Sequence, residues 1–424
     1  MKSSKCILSL DPMYSSLHAR IAGLYSGHKY ALLSSLAMKV YLKSFKCILI
    51  NRRLKSVIPD SRDFDILNQI DNHYTASIRH YENRTLNSEE SEYMARFSAL
   101  FRHFLLDKKV DLVLIHNDLR WYHSIAIKVC QEMGVDYLIT EQGLFRPYTT
   151  VIDNLGVNAY SSLAKIDEFP ESSRNVKVSP NTMRNHNSNW SKLYFFIFLL
   201  VYNIEKPFGS TLKYQHNKYS LFSYIRRFIS QYKNGAYNNK EVSSNLSGTV
   251  NIFVPMQLEN DTQILIHSEF SSNQELINQI EESVYGCAIN NVRVIFKKHP
   301  NDVKNYTIDD KSLFVSGSIQ EISESSCLAI TVNSSAAIDI LRTNVPLFLL
   351  GSSIYSKSGV AVEVRVQDLQ KYVKQVLLGK DQFFSKDKRN LFLKFLLEEY
   401  SVIGAGFSYD DEELIRVLSR YNLY

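Results

Sequence analysis

The stretch VDLVLIHNDLRWYHSIAIKVCQEMGVDYLITEQG, residues 110–143, decides the fold class. Val110 to Ile115 is a short apolar run with the signature of a buried strand, and it stops at His116-Asn-Asp118. A helix pattern follows from Trp121 to Met133, then Gly134, then a second strand from Val135 to Thr140. Strand, helix and strand at this spacing make a βαβ unit, which predicts a parallel sheet. Loops after such strands lie at the carboxyl edge of the sheet, where ligands bind in doubly wound folds. Glu141-Gln-Gly143 directly follows the second strand.

Working outward, the same alternation returns in the second half. Thr249 to Val254 reads as a strand, Asn273 to Tyr285 as a helix, and Val292 to Phe296 as a strand leading into Lys297-Lys-His-Pro300. Leu328 to Val332 is another strand, followed by Asn333-Ser-Ser335, a helix from Ala336 to Leu341, and the run Val345 to Leu350. Between the halves, Ser172 to Ser191 is rich in Ser and Asn and reads as a loop. The fold class expected is α/β, with two Rossmann-like domains facing a cleft and a helical connector, as in glycosyltransferases of the two-domain B type. The expected division is a first domain over 1–171, a basic and aromatic connector over 172–246, and a second domain with terminal helices over 247–424.

Composition narrows the function classes. With 424 residues, 45% hydrophobic and 22% charged, the chain is long enough for two cores and is neither collagen-like nor disordered. A net charge of +6 is too mild to predict nucleic-acid binding. Five cysteines, an odd number without C-x-x-C spacing, read as reduced cytosolic thiols and not as a zinc site or disulfide framework. No signal-peptide core is apparent near Met1, and the longest apolar run, Leu193 to Tyr202, is about half of what spans a bilayer. A cytoplasmic protein is expected, at most peripheral on the inner face of the cytoplasmic membrane. No G-x-G-x-x-G, Walker or G-x-S-x-G pattern occurs, against dehydrogenase, ATPase and α/β-hydrolase readings.

Each candidate group has a bland reading beside a chemical one. His299, aimed by Pro300 and flanked by Lys297 and Lys298, could bind a phosphate oxygen, or could be a strand-end turn. Asn333, Ser334 and Ser335 open a helix, where they could cap it or cradle an anion. Glu141 could act as general base toward an acceptor hydroxyl, with Gly143 letting backbone approach the substrate, or could be a solvated turn residue. The run through Gln142, Arg146, Asp153 and Asn158 reads as a long loop suited to binding an acceptor. Gln257, Asp261 and Gln263 could hydrogen-bond a base, ribose or sugar, and Asp261 could equally cap the next segment.

These residues carry a resemblance. Glu-Gln-Gly-Leu-Phe-Arg-Pro (141–147), Gly-Val-Asn (156–158), Pro-Met-Gln-x-x-x-Asp-x-Gln (255–263), Lys-His-Pro (298–300) and Thr-Val-Asn-Ser-Ser (331–335) occur in that order. In this the chain resembles bacterial capsule polysaccharide biosynthesis proteins, and most closely the lipid-linker β-Kdo transferases. Bacterial sialyl- and polysialyltransferases look similar in three of the motifs. The resemblance covers about residues 105–355. It implies a CMP-activated 2-keto sugar acid as donor substrate, no cofactor and no metal, and a lipid-linked or oligosaccharide acceptor. It also implies work at a membrane surface with other capsule assembly proteins. On it, His299, Ser334 and Ser335 hold the CMP phosphate, Lys298, Pro300, Asn333, Gln257, Asp261 and Gln263 complete the donor side, and Glu141 works at the acceptor side. One departure stands out: Gln142 occupies a position where the family usually has a second acid. A CDP-glycerol-type glycerophosphotransferase and a non-catalytic polysaccharide assembly or export component are the alternatives.

The connector has two readings of its own. From Lys206 to Lys240 there are seven basic residues and no acidic one. With the aromatic run before it, this stretch, including Lys213, Lys218, Arg226, Arg227 and Lys233, could rest on an anionic leaflet. It could equally be a packed connector helix with a solvated basic face.

Overall fold

The computed structural model describes residues 3–12, 14–176, 188–215, 220–222, 224–226, 248–380 and 383–424. The chain forms two compact units. Unit 1 comprises Met1–Ser162, Asn175–Arg227 and Glu399–Tyr424, and unit 2 comprises Leu163–Arg174 and Phe228–Glu398.

In unit 1, strands β1 (Ile7–Leu10), β2 (Lys29–Leu33), β3 (Lys46–Leu49), β4 (Leu112–His116) and β5 (Asp136–Gln142) are parallel, in the order β3-β2-β1-β4-β5. That is the doubly wound order, with its switch point between β1 and β4. The stretch 110–143 folds as read: β4, a helix over Trp121–Met133 closed by Gly134 in the left-handed conformation, then β5. A sixth strand, β6 (Thr149–Asp153), runs antiparallel beside β5. Those residues are expected in a long loop, but Thr149-Thr-Val-Ile152 is β-branched throughout and suits a pleated, buried strand.

Unit 2 holds β7 (Val250–Pro255), β8 (Val292–Lys297), β9 (Leu313–Phe314), β10 (Leu328–Thr331), β11 (Leu347–Leu349) and β12 (Val362–Glu363). All pairs are parallel, in the order β12-β11-β10-β7-β8-β9. Here the switch point lies between β7 and β10. The helix Asn273–Tyr285 is amphipathic and puts Leu276, Ile277, Ile280 and Val284 into this unit's core.

Leu163–Arg174, expected at the end of the first domain and the start of the connector, belongs to unit 2, and two further segments depart from the expected division. The C-terminal residues, expected with the second domain, complete unit 1: strand Val402–Ala405 pairs antiparallel with β6, and Leu414, Val417 and Leu418 join its core. β6 would otherwise leave an open edge of unpaired backbone groups, which this strand satisfies. The second segment is the connector helix Ser188–Glu205, which packs on unit 1 through Phe198, Leu199 and Tyr202. At its end the buried Glu205 accepts hydrogen bonds from the Ser35 hydroxyl (2.6 Å) and the Leu36 N–H (2.8 Å). The carboxylate thereby caps the 3₁₀ turn Leu36–Tyr41 from outside.

Removing that cap leaves two buried donors unmade. Glu205→Ala is expected to lower stability by about 1–3 kcal/mol, with Glu205→Gln milder because an amide oxygen still accepts. Urea denaturation checks this, and equal midpoints for wild type and Glu205→Ala would contradict it.

Candidate functional site

Each unit gathers polar residues at the carboxyl ends of its central strands. In unit 1 the register pairs His116 with Thr140, so the next residues, Asn117 and Glu141, are neighbours across β4 and β5. The Glu141 carboxylate accepts from Asn117 Nδ2 (2.7 Å) and from the Gln142 N–H (2.8 Å). His116 Nε2 lies 4.0 Å from Glu141 Oε1. Behind them, the Thr140 hydroxyl meets His116 Nδ1 (3.3 Å) and His18 Nε2 (3.2 Å) and lies 3.2 Å from the Ile115 carbonyl. His18 is fully buried, and its Nδ1 meets the Ser9 hydroxyl at 2.8 Å.

Protonation follows from these surroundings. Burial pushes His116 down to about 4, against the pull of Glu141, so its imidazole is neutral at pH 7. Burial would raise Glu141, but His116, the Asn117 amide, the Gln142 N–H and Arg120 together hold it below the usual carboxylate range. The hydrogen bonds from Asn117 and the Gln142 N–H persist at pH 7, where the His116 ring is neutral. A neutral imidazole that donates Nδ1–H to Thr140 presents the Nε2 lone pair toward the same space as the carboxylate. Both can accept a proton from a hydroxyl placed there.

Asp118 behaves oppositely. Burial, then the nearby charges of Glu141 and Asp153, raises it to about 7, against the Val157 N–H that binds its Oδ2 at 2.8 Å. Its Oδ1 is buried with no hydrogen-bond partner among the described residues. A Cβ on Gly156 would come within 2.8 Å of Asp118 Oδ2 and 2.6 Å of Tyr160 Cβ, so the Gly-Val-Asn motif needs its glycine for this close approach.

Other expected residues take structural places. Glu141 and Gln142 end β5 instead of following it, with Gln142 exposed. A Cβ on Gly143 would strike Thr149 at 2.2 Å, so this glycine serves a close backbone approach within the β5–β6 hairpin and not one to substrate. Arg146 is exposed in that hairpin, with its Nε 3.4 Å from the Gly143 carbonyl. Asp153, expected on the acceptor side, is fully buried and accepts from the Leu155 N–H, the Ser162 N–H and hydroxyl, and the Tyr400 hydroxyl. The Gly156 N–H, at 3.5 Å, makes five donors, and together they leave it an anchor of unit 1. The Asn158 carbonyl accepts from the Ser161 hydroxyl at 2.7 Å.

In unit 2, the ends of β7, β8 and β10 lie side by side. Gln257 after β7 and Asn333 after β10 form a reciprocal pair, Nε2 to Oδ1 at 3.1 Å and N–H to Oε1 at 3.2 Å. Both are buried, so they clasp the switch point shut from within. After β8, His299 Nδ1 accepts the Asn301 N–H at 3.1 Å, which leaves the proton of the neutral ring on Nε2. Lys298 donates to the Lys304 carbonyl at 2.6 Å and lies over the Tyr306 and Phe314 rings. Lys297 is half-buried, and burial lowers its pKa. Pro300 and Ser335 are exposed, and the Ser334 Oγ accepts the Ala336 N–H at 3.2 Å. Asp261 opens the short helix Thr262–Leu265 through its carbonyl. Gln263 is in that helix, and its side chain lies outside the described residues, as do Lys218, Arg227, Lys233 and Lys240. Among the described residues no group of three or more His, Cys, Asp or Glu is placed to hold a metal ion.

A family model described as capsule polysaccharide biosynthesis protein matches residues 111–376. The chain belongs to this family. It is 24% identical over 280 residues to the capsule polysaccharide export protein KpsS of Escherichia coli, covering 60% of this chain and 70% of that one. The capsule polysaccharide modification protein LipB of Neisseria meningitidis serogroup B is 22% identical over 292 residues, 62% of this chain and 69% of that one. Among solved structures, KpsC of Thermosulfurimonas dismutans, a β-Kdo 2,7 transferase, aligns over 81% of this chain and 94% of its own, at 14% identity and a TM-score of 0.38.

The sequence reading missed His18, His116, Asn117 and Arg120 as members of the unit 1 group. The available signal was position: His116 and Asn117 end one predicted parallel strand, and Glu141 ends the next. His18 gave none, because only folding brings it to Thr140.

Asp118 supplies a test independent of activity. Folding raises it from an ordinary 3.8 to about 7, so the fold binds a proton between those values. Its contribution to stability is fully present below about pH 4 and is lost as the pH rises through about 7. Asp118→Asn stays uncharged, so its stability relative to wild type should improve from pH 5 to pH 8. Parallel stability–pH curves in thermal denaturation would show that Asp118 carries no such shift.

Proposed function

We propose that this protein is a glycosyltransferase of capsule polysaccharide assembly, moving Kdo or a related 2-keto sugar acid from a CMP-activated donor to a lipid-linked or oligosaccharide acceptor. Membership of the capsule family supports the setting. The observation that carries the chemistry is Glu141, a carboxylate held ionised by two hydrogen bonds beside a neutral imidazole, at the carboxyl edge of a doubly wound sheet.

In this reading an acceptor hydroxyl gives its proton to Glu141, with His116 beside it, while its oxygen bonds to the anomeric carbon. The bond from that carbon to the CMP phosphate breaks, and the phosphate leaves with the electron pair. Within unit 2, phosphate-binding roles are assigned in this reading to His299 through Nε2–H, the Lys297 ammonium and the Ser335 hydroxyl. Gln257 braces Asn333, in the segment that carries Ser335. The ionised network around Glu141 favours turnover over a purely structural role, even with Gln142 in place of a second acid.

Incubation with CMP-Kdo, CMP-sialate and CDP-glycerol, followed by measurement of nucleotide release, tests the reading. Release of CMP from CMP-Kdo is expected. Release from CDP-glycerol alone would favour glycerophosphate transfer, and none from any donor would favour a non-catalytic assembly role. His299→Ala should slow CMP release by about 100–1000-fold with the fold intact. Near-wild-type turnover would remove His299 from the mechanism. Full activity is expected in excess EDTA, and a loss that Mg²⁺ or Mn²⁺ restores would overturn the metal-free reading.

A further inference from the structure

The helix Ser188–Glu205 is apolar nearly all round: Trp190, then Leu193 to Tyr202 without interruption, then Ile204. A helix of that composition is ordinarily buried on every side. Among the described residues only one side is covered. Phe198, Leu199 and Tyr202 enter the unit 1 core, and Glu205 turns inward onto Ser35 and Leu36. The opposite side carries Trp190, Leu193, Phe196, Leu200 and Ile204, each between 37% and 67% exposed. At 100° per residue these five fall within one stripe about 120° wide, running roughly 21 Å along the axis. Just beyond it, Phe208 is 80% exposed. A contiguous apolar face of this kind marks an interaction surface, since scattered exposed residues would not align.

The chemistry of the rim points to the occupant. No acidic side chain lies on the stripe, and the exposed charged residues at its edge and end are Lys192 and Lys206. The chain from Lys206 to Lys240 adds five more basic residues beyond Lys206 and Lys213 and no acid. A two-fold contact between copies on this face would set basic rim against basic rim. An anionic bilayer surface is complementary to both parts: acyl chains for the stripe, headgroups for the lysines. Trp190 at one end suits the interface, where indole rings concentrate. Among the described residues no helix is long and apolar enough to cross a membrane, so lying in the surface plane is the mode available to this one.

We propose that the outer face of the helix Ser188–Glu205 docks the protein on anionic lipid, with Trp190, Leu193, Phe196, Leu200 and Ile204 in the headgroup–acyl boundary and Lys192 and Lys206 on the headgroups. This goes beyond the sugar-transfer reading and does not depend on it, so the test uses no donor or acceptor. The full chain is mixed with vesicles of phosphatidylcholine, with and without phosphatidylglycerol, and bound protein is sedimented. Binding is expected with phosphatidylglycerol and should weaken with salt. The chain has two tryptophans, of which Trp121 is 2% exposed and Trp190 is 51% exposed. A blue shift and protection from acrylamide on adding anionic vesicles would therefore report Trp190 entering lipid. The triple variant Leu193→Ser, Leu200→Ser, Ile204→Ser should bind about tenfold less with an unchanged melting temperature, because those side chains are exposed. Lys192→Glu with Lys206→Glu should also reduce binding. Absence of wild-type binding at low ionic strength would overturn the proposal, as would triple-variant binding equal to wild type. So would a wild-type dimer that ignores vesicles and that the triple variant dissolves.

Discussion

Parallel strand pairing is the constraint on which the rest depends. Strands that all run one way deliver their carboxyl ends to one edge, so the residues after each strand meet there whatever their separation in the chain. In unit 1 the pairing of β4 with β5 sets His116 opposite Thr140, and Asn117 and Glu141 follow as neighbours. The helix after β1 brings His18 onto the same threonine hydroxyl, and β1, on the other side of β4, supplies Ser9 to the far nitrogen of that ring. A one-residue slip of β5 against β4 would undo the pairing that sets Glu141 beside Asn117. Burying this many polar groups is tolerated because almost every one finds a partner.

Burial then does different work on two carboxyl groups a few residues from the same edge. Glu141 is half-buried but meets His116, an amide, a backbone N–H and the positive field of Arg120, and its carboxyl is held below the usual range. Asp118 meets one backbone N–H on one oxygen and nothing described on the other, and its proton is retained to about pH 7. Environments that push like groups apart in this way are the usual means by which one site separates acid from base. In unit 2 the same logic fixes a tautomer: the Asn301 N–H occupies His299 Nδ1 and so places the donor on Nε2.

The connector helix and the C-terminal strand show how unit 1 is finished by chain that lies far off in sequence. Val402–Ala405 covers the edge of β6, and the helix Ser188–Glu205 covers one flank of the core while capping the Leu36 turn through Glu205. That helix carries apolar residues for two partners, of which unit 1 is one. Its double character explains why the run from Leu193 to Tyr202 looks in composition like a short membrane segment and yet buries Phe198 in a globular core.

By itself the sequence determined the local elements and what they are made of. The helix Trp121–Met133, its Gly134 end, the strand–helix–strand order in both halves and the residues after each strand are readable because strand and helix periods are local properties. The family was legible too, through short motifs in a fixed order. Only the tertiary structure decided which motif residues present chemistry and which hold the frame. Asp153 and Gly143 look like site residues in sequence, yet five donors occupy the first and the neighbouring Thr149 crowds the second. His18 and Asn117 look like nothing in particular, yet one braces and the other charges the carboxylate edge. The distinction depends in part on partners as far as 247 positions away, and no local pattern in a chain records how such distances close.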